Sequence, residues 1–163
     1  MRRLLAAVPL ALLALACAGE SAPADVANGA AAAGCEAASA ASLEVGPEML
    51  PGRRCLLCHM SGASASDEPL SAGGTVFASA KPSSCDAGGV SGAVVELLKA
   101  DGTVAAATTT NAAGNFAFRQ SLAFPLKARV TANGKTTMMP GNVTTGDCAT
   151  CHDGTSAPRI NVE

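Results

Sequence analysis

A chain of 163 residues with 11 Lys plus Arg, 13 Asp plus Glu and a formal net charge of −2 lacks the basic footprint that nucleic-acid binding requires, so that class of partner is excluded. It holds no Trp or Tyr and only four Phe, at positions 77, 116, 118 and 124. That length allows one small domain with a thin side-chain core, and the missing aromatics argue against an adhesive or ligand-gripping aromatic surface.

At the amino terminus, Arg2 and Arg3 precede the apolar run Leu4 to Ala16. The run is too short to span a bilayer and ends in small residues, which reads as a signal peptide over residues 1–16. Leu13-Ala14-Leu15-Ala16-Cys17 resembles a bacterial lipoprotein cleavage box, with its leucine one place further out than usual. The resemblance implies that Cys17 becomes lipidated and tethers the product to a membrane. The alternative is cleavage after Ala14-Leu15-Ala16, leaving Cys17 a free thiol. Losing Arg2 and Arg3 leaves nine basic against thirteen acidic residues. Residues 17–45 are rich in Ala, Gly, Ser and Pro and read as a flexible spacer behind the anchor.

Two stretches carry the chemistry. Cys55-Leu56-Leu57-Cys58-His59, in a segment spanning 46–73, is echoed by Cys148-Ala149-Thr150-Cys151-His152, in a segment spanning 138–163. Cys-x-x-Cys-His reads as a haem c (heme c) attachment site. Two thiols three apart add to the two vinyl groups of one porphyrin, and the adjacent imidazole sits beneath the ring as proximal iron ligand. The chain has only two histidines, and each directly follows a Cys-x-x-Cys. Two covalently bound haems are therefore expected. The competing readings are a zinc site built from Cys55, Cys58, Cys148 and Cys151, and a dithiol or disulfide role; export weighs against zinc thiolates.

With both histidines spent as proximal ligands, the sixth position at each iron falls to water or to a methionine among Met49, Met60, Met138 and Met139. Methionine is a soft ligand that raises haem potential, although a methionine is also ordinary packing filler. Met49-Leu50-Pro51-Gly52 before the first site is echoed by Met138-Met139-Pro140-Gly141 before the second, which favours Met49 and Met138, with Met139 close behind. Arg53 and Arg54 read as solvated charges or as partners of a haem propionate. Of seven cysteines, four go to haem and Cys17 to lipid, leaving Cys35 and Cys85 as a disulfide pair in an oxidising compartment.

Between the two segments, residues 74–137 break into short apolar runs with turn signals. Thr75-Val76-Phe77-Ala78, Ala93 to Leu98, Thr103 to Thr110, Phe116 to Arg119, Leu126 to Thr131 and Lys135 to Met138 are the expected strands. Asp101-Gly102, Asn111 to Asn115 and Asn133-Gly134 are the turns between them. No stretch sustains a helical apolar face, so the fold class is mainly β, a small sandwich flanked by two short haem-binding segments. Gly89-Val90-Ser91-Gly92-Ala93-Val94-Val95-Glu96-Leu97, then Asp101-Gly102, then Thr110-Asn111-Ala112-Ala113-Gly114-Asn115-Phe116-Ala117-Phe118 resemble the transthyretin-like or Cna protein B-type module, also called carboxypeptidase regulatory-like. That resemblance implies an immunoglobulin-like sandwich with structural or binding roles and no activity of its own.

Taken together, the chain resembles a di-haem c-type cytochrome lipoprotein with such a module between its two sites. The resemblance implies electron transfer in the bacterial cell envelope, on its periplasmic or outer-surface face. Redox proteins are the expected partners, with no small-molecule substrate and no catalysis. The alternatives are a haem peroxidase or small-molecule reductase with one open iron site, helped by Glu48, Asp147, Arg53 or Arg54, and an envelope adhesion module.

Overall fold

Strand alternation in Val94-Val95-Glu96-Leu97-Leu98 sends Val95 and Leu97 inward and leaves Val94 exposed, as expected of a strand with one wet face. The computed structural model describes residues 46, 48–85 and 88–163; the signal peptide, Cys17, the spacer and Cys35 lie outside the described residues. Among the described residues there are six strands: β1 (Ala72–Thr75), β2 (Val94–Leu98), β3 (Val104–Thr109), β4 (Asn115–Phe118), β5 (Lys127–Ala132) and β6 (Lys135–Met138). They form two antiparallel sheets, one ordered β3-β2-β5-β6 and one made of β1 and β4. Val95 and Leu97 of β2, Ala106 of β3 and Val130 and Ala132 of β5 share a single core with Ala72 of β1 and Phe116 and Phe118 of β4. The two phenylalanine rings meet edge to face with centroids 6.1 Å apart, the arrangement their quadrupoles favour. The fold is thus the expected small β-sandwich, with a short segment at each end carrying a Cys-x-x-Cys-His motif.

Local chemistry places the turns where the sequence puts them. Asn133 and Gly134 both have positive φ, 52° and 75°, as a two-residue turn of the primed type demands, and they close β5 onto β6 with Ala132 opposite Lys135. After β2, the Asp101 carboxylate accepts hydrogen bonds from the Thr103 amide at 2.9 Å and its hydroxyl at 2.7 Å, an Asx-type turn. Those bonds hold the Asp101 carboxyl below its ordinary pKa. On the wet face, Glu96 lies opposite Arg129, and the Arg129 Nε donates to the Glu96 carboxylate at 2.7 Å.

The first strand departs from expectation. It covers Ala72–Thr75 rather than Thr75 to Ala78, and its centre is Gly73-Gly74, residues that disfavour strands when considered alone. Val76 and Phe77 follow as irregular extended chain, with Phe77 bridging to both Gly89 and Asn161. Tertiary contact overrides propensity here. Along one edge β1 pairs with β4; along the other, the Gly73 amide donates to the Gly146 carbonyl at 3.0 Å, and Gly73 bridges in parallel to Asp147. A four-residue strand therefore joins the sandwich to the carboxy-terminal segment. Cys85 is buried against Phe77 in a small second cluster and is a disulfide cysteine, while its expected partner Cys35 lies outside the described residues.

Gly146 sits at this junction without room for a side chain, because a Cβ would collide with the Ser71 carbonyl oxygen and approach the Ala72 Cα to 2.8 Å. Replacing it with alanine in Gly146→Ala is expected to cost about 1–3 kcal/mol through overpacking, read as a lower urea midpoint. An unchanged midpoint would show that the junction is not under steric constraint.

Candidate functional site

Both motifs fold into the same local shape. Cys55–Cys58 form a single helical turn, α1, and Cys148–Thr150 a 3-10 turn. In each, the histidine amide closes on the carbonyl of the first cysteine at 3.0 Å, His59 to Cys55 and His152 to Cys148. Each first thiol donates weakly to the carbonyl two residues earlier, Cys55 to Arg53 at 3.7 Å and Cys148 to Gly146 at 3.6 Å. A spacing of three on a helical turn brings two side chains to one side, which is what attachment of one porphyrin edge requires of Cys55 with Cys58 and of Cys148 with Cys151.

The imidazoles are oriented in the same way. His59 Nδ1 lies 2.8 Å from the Glu68 carbonyl oxygen, and His152 Nδ1 lies 2.7 Å from the Pro158 carbonyl oxygen. A carbonyl only accepts, so each Nδ1 carries the proton and each Nε2 keeps its lone pair. Fixing a ligating histidine through its far nitrogen is how proteins set its tautomer and raise its basicity. The donor set therefore fits haem iron at both places, where Nε2 of His59 and of His152 would be the atoms left to ligate it.

The second motif opens onto a cavity of about 480 Å³, within the usual range for ligand pockets. Cys148, Cys151 and His152 line it together with Met138 and Met139, over a floor that includes Val95, Val130 and Phe116 of the sandwich core. Met139 is half-buried and packs on the core, whereas Met138 is 47% exposed. Near the first motif, Met60 is 51% and Met49 38% exposed. Met49 holds a left-handed φ of 55°, and the preceding Glu48 carbonyl accepts from the Asn111 and Asn115 side-chain amides at 2.9 and 2.6 Å.

The two motifs meet at β1. A Cβ on Gly73 would lie 3.1 Å from the Cys55 Cβ, and one on Gly74 would lie 3.1 Å from the Cys148 Cβ and 2.9 Å from the Phe116 ring. Successive strand residues face opposite ways, so the two attachment turns press on the two faces of one strand. Two haem attachment turns, each with its histidine set for iron, are thus built onto one β-sandwich. This is the layout of a di-haem c-type cytochrome. No family model, no curated protein and no solved structure matches the chain, so the motifs and the sheets carry the assignment to a di-haem cytochrome by themselves. Two covalent haem c groups follow from the two spacings. Among the described residues no three His, Cys, Asp or Glu side chains gather as a metal-ion site, as a tetrahedral zinc set would need.

Sequence reasoning missed the connection between the sites. Arg54 and Asp147, each directly before the first cysteine of its motif, form an ion pair with Nε to Oδ2 at 2.9 Å, and the Asp147 side chain is only 8% exposed. Arg54 is therefore tied to protein rather than simply solvated, and Arg53 is buried. Asp147 Oδ1 is buried with no hydrogen-bond partner among the described residues. The signal available beforehand was the opposite sign of the two charges at equivalent places in the two motifs. Thr75 is a further support, accepting from the Gly52 amide at 2.8 Å and donating to the Asn115 Oδ1 at 2.6 Å.

Burial pushes the Cys55 and Cys148 thiols up to about 12 from an ordinary value of 9.0, with the Asp147 charge adding at both and Cys55 adding at Cys148. In haem-free protein, a thiol that ionises near 9 when unfolded but near 12 when folded favours the unfolded chain increasingly across that interval. Urea denaturation of haem-free protein is thus expected to show full stability below about pH 9 and a falling midpoint from pH 9 toward 12. Thioethers do not ionise, so the haem-loaded protein should lack this component. Identical pH profiles for the two forms would contradict it.

Proposed function

We propose that this di-haem c-type cytochrome carries electrons within the bacterial cell envelope, tethered to a membrane through lipid on Cys17. The observation that supports the reading most is the Nδ1–carbonyl bond at both His59 and His152, because it leaves two Nε2 atoms facing away from the bond and available to iron. Bound there, haem c supplies a one-electron ferric–ferrous couple. The chain's own work is to attach through Cys55 and Cys58, and through Cys148 and Cys151, to hold the imidazoles still, and to exclude water with the sandwich. Electron transfer needs no acid or base. Of the groups a peroxidase or reductase would call on, Arg54 and Asp147 are spent on each other and Glu48 is exposed.

Met139 is the sixth ligand we favour at the second site, on the strength of its partial burial in the wall of the cavity that His152 also lines. Redox proteins of the envelope are the natural partners of such a carrier. A disulfide from Cys85 to Cys35 would pin the end of the spacer to the sandwich.

Expression in a host competent in haem c attachment should give a haem-staining band with two haems per chain and reversible reduction; colourless protein with four free or metal-bound thiols would sink the reading. In ferric holoprotein, Met139→Ala should abolish one methionine–iron charge-transfer band and let carbon monoxide bind quickly to one ferrous haem. A band that survives the substitution would remove Met139 from the role. Cys17→Ser should move the protein from the membrane to the soluble envelope fraction, and retention at the membrane would argue against the lipid tether.

A further inference from the structure

The two histidines are closed into their loops in the same way but by different donors. At the first site, the bond from His59 Nδ1 to the Glu68 carbonyl is answered in the reverse direction by the backbone, the Leu70 amide donating to the His59 carbonyl at 2.9 Å. At the second, the bond from His152 Nδ1 to the Pro158 carbonyl is answered by a side chain, Arg159 Nη1 donating to the His152 carbonyl at 3.3 Å. From histidine to accepting carbonyl the first loop spans nine positions and the second six. The guanidinium arm thus does in the shorter loop what an amide does in the longer one. The two rings also differ in cover, since His59 is buried and His152 only half-buried, so packing holds the first imidazole more than the second.

Arg159 is itself fixed from the other side. It is 3% exposed, and its guanidinium lies over the Phe77 ring, 5.7 Å from the centroid, within cation–π range. Its amide donates to the Ala80 carbonyl at 3.3 Å, and its carbonyl accepts from the Asn161 side-chain amide at 2.7 Å. The following carbonyl, of Ile160, accepts from the Phe77 amide at 2.8 Å, and Phe77 is buried against Cys85. A guanidinium shut away from water is costly unless its donors are met, and the His152 carbonyl meets one of them. We infer that Arg159 is a positioning residue for the second site, holding His152 in the orientation that iron there requires, and that the first site does not depend on it. The inference rests on the di-haem reading above and adds to it a residue outside both motifs that acts on one site alone. Without the guanidinium, the turn that carries His152 and the Pro158 carbonyl that accepts from it lose a bond that holds them together. The Nδ1 bond that sets the tautomer and basicity of a ligating imidazole then opens more often.

The test uses ferric holoprotein first shown by haemochrome assay to carry two covalent haems. Solvent exchange of the two imidazole Nδ1 protons is followed by proton NMR, each signal assigned by its loss from the paramagnetically shifted region in C55A/C58A or C148A/C151A. In R159L the His152 proton should exchange about tenfold faster, the protection lost with one hydrogen bond from a charged donor. The His59 proton should keep its rate, which makes the first site the control for general loosening. Unchanged exchange at both sites, or equal acceleration at both, overturns the positioning role and leaves the electron-carrier reading intact. Fewer than two haems in the unsubstituted protein overturn both. Should R159L fail to fold, R159K decides in its place. Lysine keeps the charge but not the planar fork that stacks on Phe77 while reaching His152, so the second proton alone should still exchange faster, and an unchanged pair sinks the inference.

Discussion

The architecture depends on one steric fact: a four-residue strand has a haem attachment turn close against each face, and glycine at positions 73 and 74 spares the crowding a Cβ would cause against Cys55, Cys148 and the Phe116 ring. Everything else accommodates that strand. Phe116, opposite Gly74 in register, fills the space a side chain would have taken. Thr75 uses its hydroxyl to fasten the first segment and the β4 partner together. Gly146 lets the second segment run against the free edge of β1. A β-sandwich that could have stood as an independent module between two haem segments is instead the frame that brings them together.

Charge follows the same geometry. Arg54 and Asp147 are opposite ions at matching positions in the two motifs, and their contact lies where the segments converge. Burying a carboxylate is tolerable when an arginine neutralises it, and Asp147 meets that condition on one oxygen. The remaining oxygen, buried without a partner among the described residues, makes this pair the least satisfied polar point in an otherwise well-bonded junction. Enclosure of the first cysteine of each motif has a chemical consequence as well. The thiolate is the reactive form, so burial that pushes both thiols up to about 12 disfavours that form in the folded haem-free chain.

The core explains why a chain with so few aromatic residues can hold this arrangement. Val95, Val130 and Phe116 belong both to the sandwich interior and to the wall of the cavity beside Cys148, Cys151 and His152. Protein core and cofactor pocket are continuous, so apolar surface contributed by a porphyrin would extend the same interior that the valines and phenylalanines begin. The histidines are fastened from loops beyond their own turns, at Glu68 and Pro158, and this makes the loops that follow each motif part of the iron site.

By itself the sequence determined what depends on local spacing. Two Cys-x-x-Cys-His runs specified the cofactor, because the reaction with a porphyrin needs only five consecutive residues. Alternation in β2 and β5 and the Asn133-Gly134 turn specified a β-sandwich, because period and turn chemistry are properties of neighbours in the chain. Tertiary structure alone decided where β1 lies, since Gly73-Gly74 has no strand preference until two segments distant in sequence press upon it. It also decided that Arg54 meets Asp147, ninety-three positions away, and that Met139 rather than Met138 is the better-buried methionine beside His152. Such pairings are set by the closing of the fold, and no local pattern of residues encodes them.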